Sequence, residues 1–372
     1  MTDVNKPTIV FSGESEEVII PWLLAFRAAN FRDHQISMND FDILSVIGRG
    51  FYGKVMLCKS KLNGALFAIK SIHKSRLYSS NKVHTVVQER KIMSKSNYPF
   101  IVTLCFAFQS PTKFYFALEY IPGGDLFHEM QKDPYITRYS AKLYIAEIGL
   151  ALRYLHSINV IYRDLKPENI LIDKDGHIKL TDFGLSKILD VDSVSTTFCG
   201  TAEYIAPEII RRLPYTNKID WWALGVLSYE LLFRSSPFMS NNRMKLFQLI
   251  TSTDPPFPND VDPVDIDFVK RLLTKNPKRR ASLDDLWNHP FWESMKLEDI
   301  EKKLVKPDYV PTIIDHSMPT NFDETYTSEP PTDSMATPLA SIQGSRFNGF
   351  SYIAKEDEST QNDTQNSVLI PE

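Results

Sequence analysis

Four side chains in the stretch Val160–Gly184 have the types and spacing to move a phosphoryl group. Asp164 sits in Tyr-Arg-Asp-Leu-Lys-Pro-Glu-Asn and Asp182 in Asp-Phe-Gly, with a short apolar run between them. Transfer of a terminal phosphoryl group to a hydroxyl needs a carboxylate that aligns the hydroxyl and receives its proton. It also needs a cation beside the moving charge and oxygen ligands for a metal that neutralises the triphosphate. Asp164, Lys166, Asn169 and Asp182 supply these in that order, and oxygen ligands imply a hard cation, Mg2+ or Mn2+. A polar surface turn would explain the first cluster, but not an Asp-Phe-Gly at this distance from it.

Two more features fit the same chemistry. Gly48-Arg-Gly-Phe-Tyr-Gly-Lys-Val55 is a GxGxxG run, a weak signal by itself and shared with dinucleotide sites, where the glycines open a helix. Here Gly48, Gly50 and Gly53 lie between strand-like runs ending at Ile47 and resuming at Val55, so the loop reads as a hairpin whose bare backbone can close over phosphates. Lys70 is placed at the end of a strand Ala65–Ile69. Glu89, in the following helix on the side of Val86 and Ile92, is placed to orient the Lys70 ammonium toward the α- and β-phosphates.

The elements that must hold these residues follow from the apolar pattern. FDILSVIG, GKVMLCKS, ALFAIKSI, IVTLCFAFQ and FYFALEYI predict five strands, and RLYSSNKVHTVVQERKIMSKS predicts one helix, together a small α+β lobe. After the break at Pro122–Gly124 the chain turns helical. Ala141, Tyr144, Ile145, Ile148, Ala151, Leu152 and Leu155 recur at three- and four-residue intervals, the stripe of a core helix. DWWALGVLSYELLF, NNRMKLFQLI, VDIDFVKRLL and SLDDLWNHPFW predict further helices of a larger lobe that ends near Trp292. Seven prolines from Pro307 onward predict a tail that lies extended on the body or is partly disordered. Residues 1–40 read as an extension carrying a short amphipathic helix from Pro21, with Trp22, Leu23 and Phe26 on one face.

Composition excludes several classes. Three cysteines, Cys58, Cys105 and Cys199, with no CxxC spacing, argue against a disulfide framework or a zinc site and suit a reducing compartment. The N-terminus shows no basic region followed by an apolar core, which argues against a secretory signal. No apolar run approaches the roughly 20 residues that span a bilayer. From Pro307 on, eleven Asp and Glu oppose two Lys and Arg, so the first 306 residues are net positive by 5 against −4 for the whole chain. A mildly basic body with an acidic tail lacks the basic stripe of a nucleic-acid binder. The expectation is a soluble monomer, cytoplasmic and also nuclear.

Gly48–Val55, Ala68-Ile-Lys70, Tyr162-Arg-Asp164 with Asn169, Asp182-Phe-Gly184 and Ala206-Pro-Glu208 stand in one order. With them the chain resembles a eukaryotic protein kinase over residues 41–292. Tyr162 in place of the usual His, the segment Cys199-Gly-Thr-Ala-Glu-Tyr-Ile-Ala-Pro-Glu208 and the tail run Phe347-Asn-Gly-Phe-Ser-Tyr352 resemble the AGC group. The likeness is to its Akt, serum/glucocorticoid-regulated and ribosomal-protein kinase branch. The resemblance implies a bilobal α+β fold over 41–292, flanked by residues 1–40 and a tail over 293–372. It implies ATP held by Ile47, Gly48, Gly50, Gly53, Val55, Ala68 and Lys70, with Glu119 and Ile121 as the adenine-bonding hinge, Leu118 as gatekeeper and Asp125 on the ribose. Asp164, Lys166, Lys70 and Glu89 are implied as catalytic, Asn169 and Asp182 as metal ligands, and Asp220 and the Arg280–Glu208 pair as structural. Phe347 and Phe350 would dock beside the Glu89 helix, and Asn321-Phe-Asp323 would cross the nucleotide cleft.

Arg163 beside the catalytic Asp has no acidic partner in the sequence, and a phosphate on the activation segment would supply one. The resemblance places it on Thr197, with Lys187 as second contact and Ser193, Ser195 and Thr196 as alternatives. Ser351 matches the hydrophobic-motif phosphosite. For the turn motif, Ser334 has the better spacing and Thr337 the following proline. A phosphoinositide-dependent-type kinase and a TOR-type kinase are implied upstream. Asp125, Glu168 and Glu230 match positions facing substrate arginines, implying Arg-x-Arg-x-x-Ser/Thr-like protein sites. Ala202 for a usual proline, Arg234 for a glycine, Pro307-Asp-Tyr309 and Tyr326 depart from the group's pattern. Against an active serine/threonine kinase stands a pseudokinase scaffold, which would be expected to lack one of Lys70, Asp164, Asn169 or Asp182.

Overall fold

Apolar alternation in the first third of the chain resolves into β1 (Phe41–Gly50), β2 (Gly53–Ser60), β3 (Leu66–His73), β4 (Leu104–Gln109) and β5 (Lys113–Glu119). The computed structural model describes residues 36–50, 52–132, 136–189, 194–293, 295–335 and 350–354. The amphipathic run at Trp22–Phe26, and Phe51, Ser193, Thr337 and Phe347, lie outside these. All strand pairings among β1–β5 are antiparallel. β3 and β5 are buried on both faces, Phe67 and Ala117 on one side and Ala68, Phe114 and Phe116 on the other, which is why they read as near-continuous apolar runs.

The single helix expected after β3 is two, Lys74–Ser79 and Val83–Met93. Ser79 and Ser80 turn their hydroxyls back onto the Arg76 carbonyl, and Asn81 takes a left-handed φ of 52°. Side-chain bonds of this kind compete with helix propagation and end it.

The large lobe is built on Arg138–Ser157, N-capped by Thr137, and on Lys218–Phe233, whose residues are buried nearly all round. Arg234 closes the second helix at φ 57°, the left-handed position that glycine favours, at a cost of about 1 kcal/mol. Between these helices lie two small ribbons, β6 (Val160–Ile161) with β9 (Lys187–Ile188) and β7 (Ile170–Ile172) with β8 (Ile178–Leu180). Arg243–Ser252 and Pro263–Leu272 form as helices. The helix expected over Ser282–Trp292 does not: Pro290 cannot continue one, and the segment makes two 3-10 turns, Asp284–Leu286 and Pro290–Trp292.

The described residues of the tail lie along both lobes. Asp308 accepts from Thr137 at 2.6 Å and from Ser140, and the Tyr309 hydroxyl donates to Glu129 at 2.7 Å. Its path needs glycine beneath it. A Cβ on Gly176 (φ 91°) would lie 2.1 Å from the Tyr309 carbonyl oxygen, and one on Gly124 (φ 80°) 2.0 Å from that of Asn321. At its end Phe350 packs on Phe114 and Phe116, with ring centroids 4.4 and 5.6 Å away. β10 (Tyr352–Ile353) then pairs with β4, so the sheet has six strands in the order β1-β2-β3-β5-β4-β10 and not the five expected. Two residues are too few for a strand signal in sequence. Among the described residues no helix is long and apolar enough to cross a membrane.

Candidate active site

Lys70 lies within β3 rather than at its end, paired across to Val55 and Phe116. Flanking strands on both sides fix its backbone, and its ammonium donates to Glu89 Oε1 at 2.7 Å and to Asp182 Oδ1 at 2.9 Å. Burial alone would lower this ammonium, but Asp182 and Glu89 outweigh it and hold Lys70 above its ordinary value. Lys70 in turn holds the Asp182 carboxyl below the usual carboxylate range. At Glu89, 3% exposed, burial wins and the carboxyl is raised. The Val83–Met93 helix supplies Glu89 from its buried face with Val86, Ile92 and Met93.

Asp164 is held from three sides. Asn169 Nδ2 donates to its Oδ2 at 2.9 Å and to its carbonyl at 2.8 Å, Lys166 Nζ lies 3.2 Å from Oδ2, and Thr201 Oγ1 donates to Oδ1 at 3.3 Å. The loop is clamped beneath by Asp220, whose carboxylate accepts from the Tyr162 and Arg163 amides at 2.9 Å each and pairs with His156 at 2.8 Å. Arg163 (φ 71°) and Asp182 (φ 54°) both adopt left-handed backbone, strain of about 1 kcal/mol or more apiece that the surrounding bonds sustain. Tyr162 fills the place under the loop, its hydroxyl donating to the Thr181 carbonyl at 2.5 Å and its ring edge-on to Phe183.

The glycine hairpin pairs Gly48 with Val55 and Gly50 with Gly53. Gly53 is required by packing, since a Cβ there would sit 1.7 Å from the Ser71 carbonyl oxygen. Over Gly50 a Cβ would meet open space, so packing does not require glycine there. Ile47, Ala68, Leu118 and Ile121 are buried in the main core, with Val55 packed against it. Glu119 is tied to Lys179 at 2.7 Å and to the Thr103 amide at 2.8 Å, which fixes the connection between the lobes. Phe322 stacks on Tyr120 with centroids 6.0 Å apart, and Asn321 donates to the Pro122 carbonyl.

The donor set fits a hard divalent cation. Asn169 has committed its amide nitrogen to Asp164, so oxygen is the atom it offers, and Asp182 adds a carboxylate. Among the described residues no group of three His, Cys, Asp or Glu forms a metal cage, so phosphate oxygens or water would complete the shell.

The other predicted residues are dispersed. Asp125 accepts from the His128 amide at 2.8 Å, capping Leu126–Met130. Glu168 is exposed. Glu230 takes the Tyr204 hydroxyl, and burial pushes its carboxyl up to about 7, with Glu168 and Glu203 adding to the rise. Thr197 is exposed, whereas its alternative Ser195 is buried and accepts from Lys187 at 3.2 Å. Arg280 and Glu208 form a buried bidentate pair at 2.6 and 2.8 Å. Sequence reasoning missed Thr201 as a support for Asp164 and Tyr215 as a partner of Arg163; neither has a spacing signal, because both reach the loop through the fold.

Comparison with known proteins gives a consistent picture. A family profile described as protein kinase domain matches residues 41–292, and one described as protein kinase C terminal domain matches 320–352. The serine/threonine-protein kinase YPK1 of Saccharomyces cerevisiae is 40% identical over 330 residues, 87% of this chain and 48% of its own length. Human serine/threonine-protein kinase Sgk2 is 38% identical over 86% of this chain and 90% of its own. The RAC family serine/threonine-protein kinase homolog of Dictyostelium discoideum is 36% identical over 88% and 74%. The chain spans about half the length of several fungal relatives it matches.

Proposed function

The chain belongs to the protein kinase family, in its AGC group, and on that footing we propose that it is an active serine/threonine kinase transferring the ATP γ-phosphate to protein hydroxyls. The observation that carries this is the assembled constellation: Lys70 joined to both Glu89 and Asp182, and Asp164 held by Lys166, Asn169 and Thr201. The substrate hydroxyl oxygen bonds to the γ-phosphorus, the bond from phosphorus to the β,γ-bridging oxygen breaks, ADP leaves, and Asp164 receives the hydroxyl proton. Lys166 stands beside the moving charge, and Lys70 orients the α- and β-phosphates. A bound Mg2+ or Mn2+, held by Asn169 and Asp182, would neutralise phosphate charge. A pseudokinase would lack at least one of Lys70, Asp164, Asn169 and Asp182, and all four are present.

The preferred substrates are basic, with arginines before the acceptor, a reading supported by Glu230 and Glu168 lying close enough to interact. Phosphorylation at Thr197 and Ser351 activates, with a phosphoinositide-dependent-type kinase acting on the first and a TOR-type kinase on the second. Both residues are exposed. For the turn motif, Ser334 is favoured over Thr337: its hydroxyl meets His73 Nε2 at 2.6 Å and Lys113 Nζ at 3.2 Å, two groups suited to a phosphate. The protein works as a cytoplasmic and nuclear monomer.

Phosphate transfer from γ-labelled ATP to an array of peptides, with Asp164→Asn as control, tests the reading. Transfer to Arg-x-Arg-x-x-Ser/Thr peptides, lost in the variant, is expected. No transfer by Thr197-phosphorylated protein would sink it, and a proline-directed preference would sink the substrate assignment alone.

A further inference from the structure

Arg163 already has an acceptor other than a phosphate. Its Nε donates to the Leu185 carbonyl at 2.6 Å and its Nη1 to the Tyr215 hydroxyl at 3.2 Å. That hydroxyl donates onward to the Thr197 carbonyl at 2.9 Å, with the Cys199 sulfur 3.9 Å away. Tyr215 is 3% exposed, and its backbone exchanges two hydrogen bonds of 2.9 Å with Ser195. The Arg163 backbone is pinned by Asp220, so its guanidinium has a fixed root. One phenol thus joins the residue before Asp164 to the segment that carries the phosphorylation position.

We propose that Tyr215 is a positioning residue that does for the unphosphorylated chain what a phosphate on Thr197 does for the phosphorylated one. It couples Arg163 to residues 195–199 and thereby sustains a basal rate of transfer. The inference rests on the kinase reading above. A phenolic hydroxyl can accept from a guanidinium and donate to a carbonyl at once, which phenylalanine cannot. Burial raises the phenol's pKa, so the proton bonded to the Thr197 carbonyl stays in place. A phosphate on Thr197 would offer Arg163 a charged, stronger acceptor and make the hydroxyl redundant. Tyr215 therefore matters in one state and not in the other, which a purely structural tyrosine would not.

Tyr215→Phe is to be compared in two backgrounds, a Thr197→Ala chain and a chain fully phosphorylated at Thr197. The kcat toward an arginine-rich peptide is expected to fall about tenfold in the first and less than about twofold in the second, with KM for ATP unchanged in both. An equal fall in both, no fall in the first, or no basal rate in Thr197→Ala with Tyr215 intact would overturn the proposal. Hydrogen exchange supplies a readout independent of catalysis: amides 195–200 of the unphosphorylated chain should exchange several-fold faster in Tyr215→Phe, a change expected from losing one anchoring bond. Unchanged exchange overturns the coupling even if transfer is absent, whereas loss of transfer by the phosphorylated parent with faster exchange in the variant removes the kinase reading alone.

Discussion

The loop bearing Asp164 and the helix bearing Glu89 contribute to one site but are held by different means. Beneath the loop, Asp220 takes two backbone amides and a histidine, Tyr162 bonds to Thr181, and Asn169 closes on Asp164 from within the same turn. All of these partners belong to the large lobe. The Val83–Met93 helix has no side-chain cap at Lys82, and it buries only Val86, Glu89, Ile92 and Met93. Its C-terminal end is met by the tail, where the Tyr352 hydroxyl donates to the Ser94 carbonyl at 3.5 Å. A loop braced within its own lobe does not depend on the small lobe or the tail for its geometry. A lightly held helix is where control can act, because little free energy separates its bound and released positions.

The sharpest test of that contrast is Asp164→Asn. We expect kcat to fall about a thousandfold or more while the melting temperature stays put, since the amide can keep the bonds to Thr201 and Asn169. A large loss of thermal stability would show that the loop does not support itself. Glu89→Gln should cost about a hundredfold in kcat/KM, by weakening the hold on a Lys70 still bonded to Asp182. A loss as large as that of Asp164→Asn would erase the distinction between chemistry and its positioning.

Phe350→Ala empties the socket on Phe114 and Phe116, removing about 3 kcal/mol of tail docking and about tenfold of activity. Hydrogen exchange should quicken in the Val83–Met93 helix and remain unchanged in the β7–β8 ribbon; equal quickening in both would break the comparison. The smallest effect concerns pH. With its carboxyl raised to about 7, Glu230 is mostly neutral at pH 6 and mostly ionised at pH 8, so its attraction for a substrate arginine grows as pH rises. The KM for a peptide with arginine at that position should drop about fivefold across this range, and a glutamine peptide should show no such trend. The same shift costs stability: between the ordinary glutamate value and about 7 the folded chain binds more protons than the unfolded, so this residue's contribution declines as pH rises.

The sequence carried the large lobe's site well because its parts are close along the chain. Asp164, Lys166 and Asn169 are one turn, and Asp182 follows after a hairpin. Strand runs were legible for the same reason, each being longer than the period that betrays it. What could not be read were short or remote pieces. β10 is two residues, the helix break at Asn81 depends on serine hydroxyls turning inward, and Lys70 belongs inside β3 because its neighbours pair on both sides. Tyr215 and Thr201 gain their roles only when the activation segment folds over Arg163 and Asp164.

The bare backbone at Gly124 and Gly176 has a consequence for anyone cutting or grafting this chain. Those positions are a mould of which residues 307–322 are the cast: each leaves room for one carbonyl of the strap and for nothing larger. A fragment ended at Trp292 would keep every catalytic side chain and expose an open trench beside its hinge. A tail borrowed from another protein would need to match that trench carbonyl by carbonyl. The smallest portable unit is therefore larger than the catalytic segment, and it includes residues 307–322.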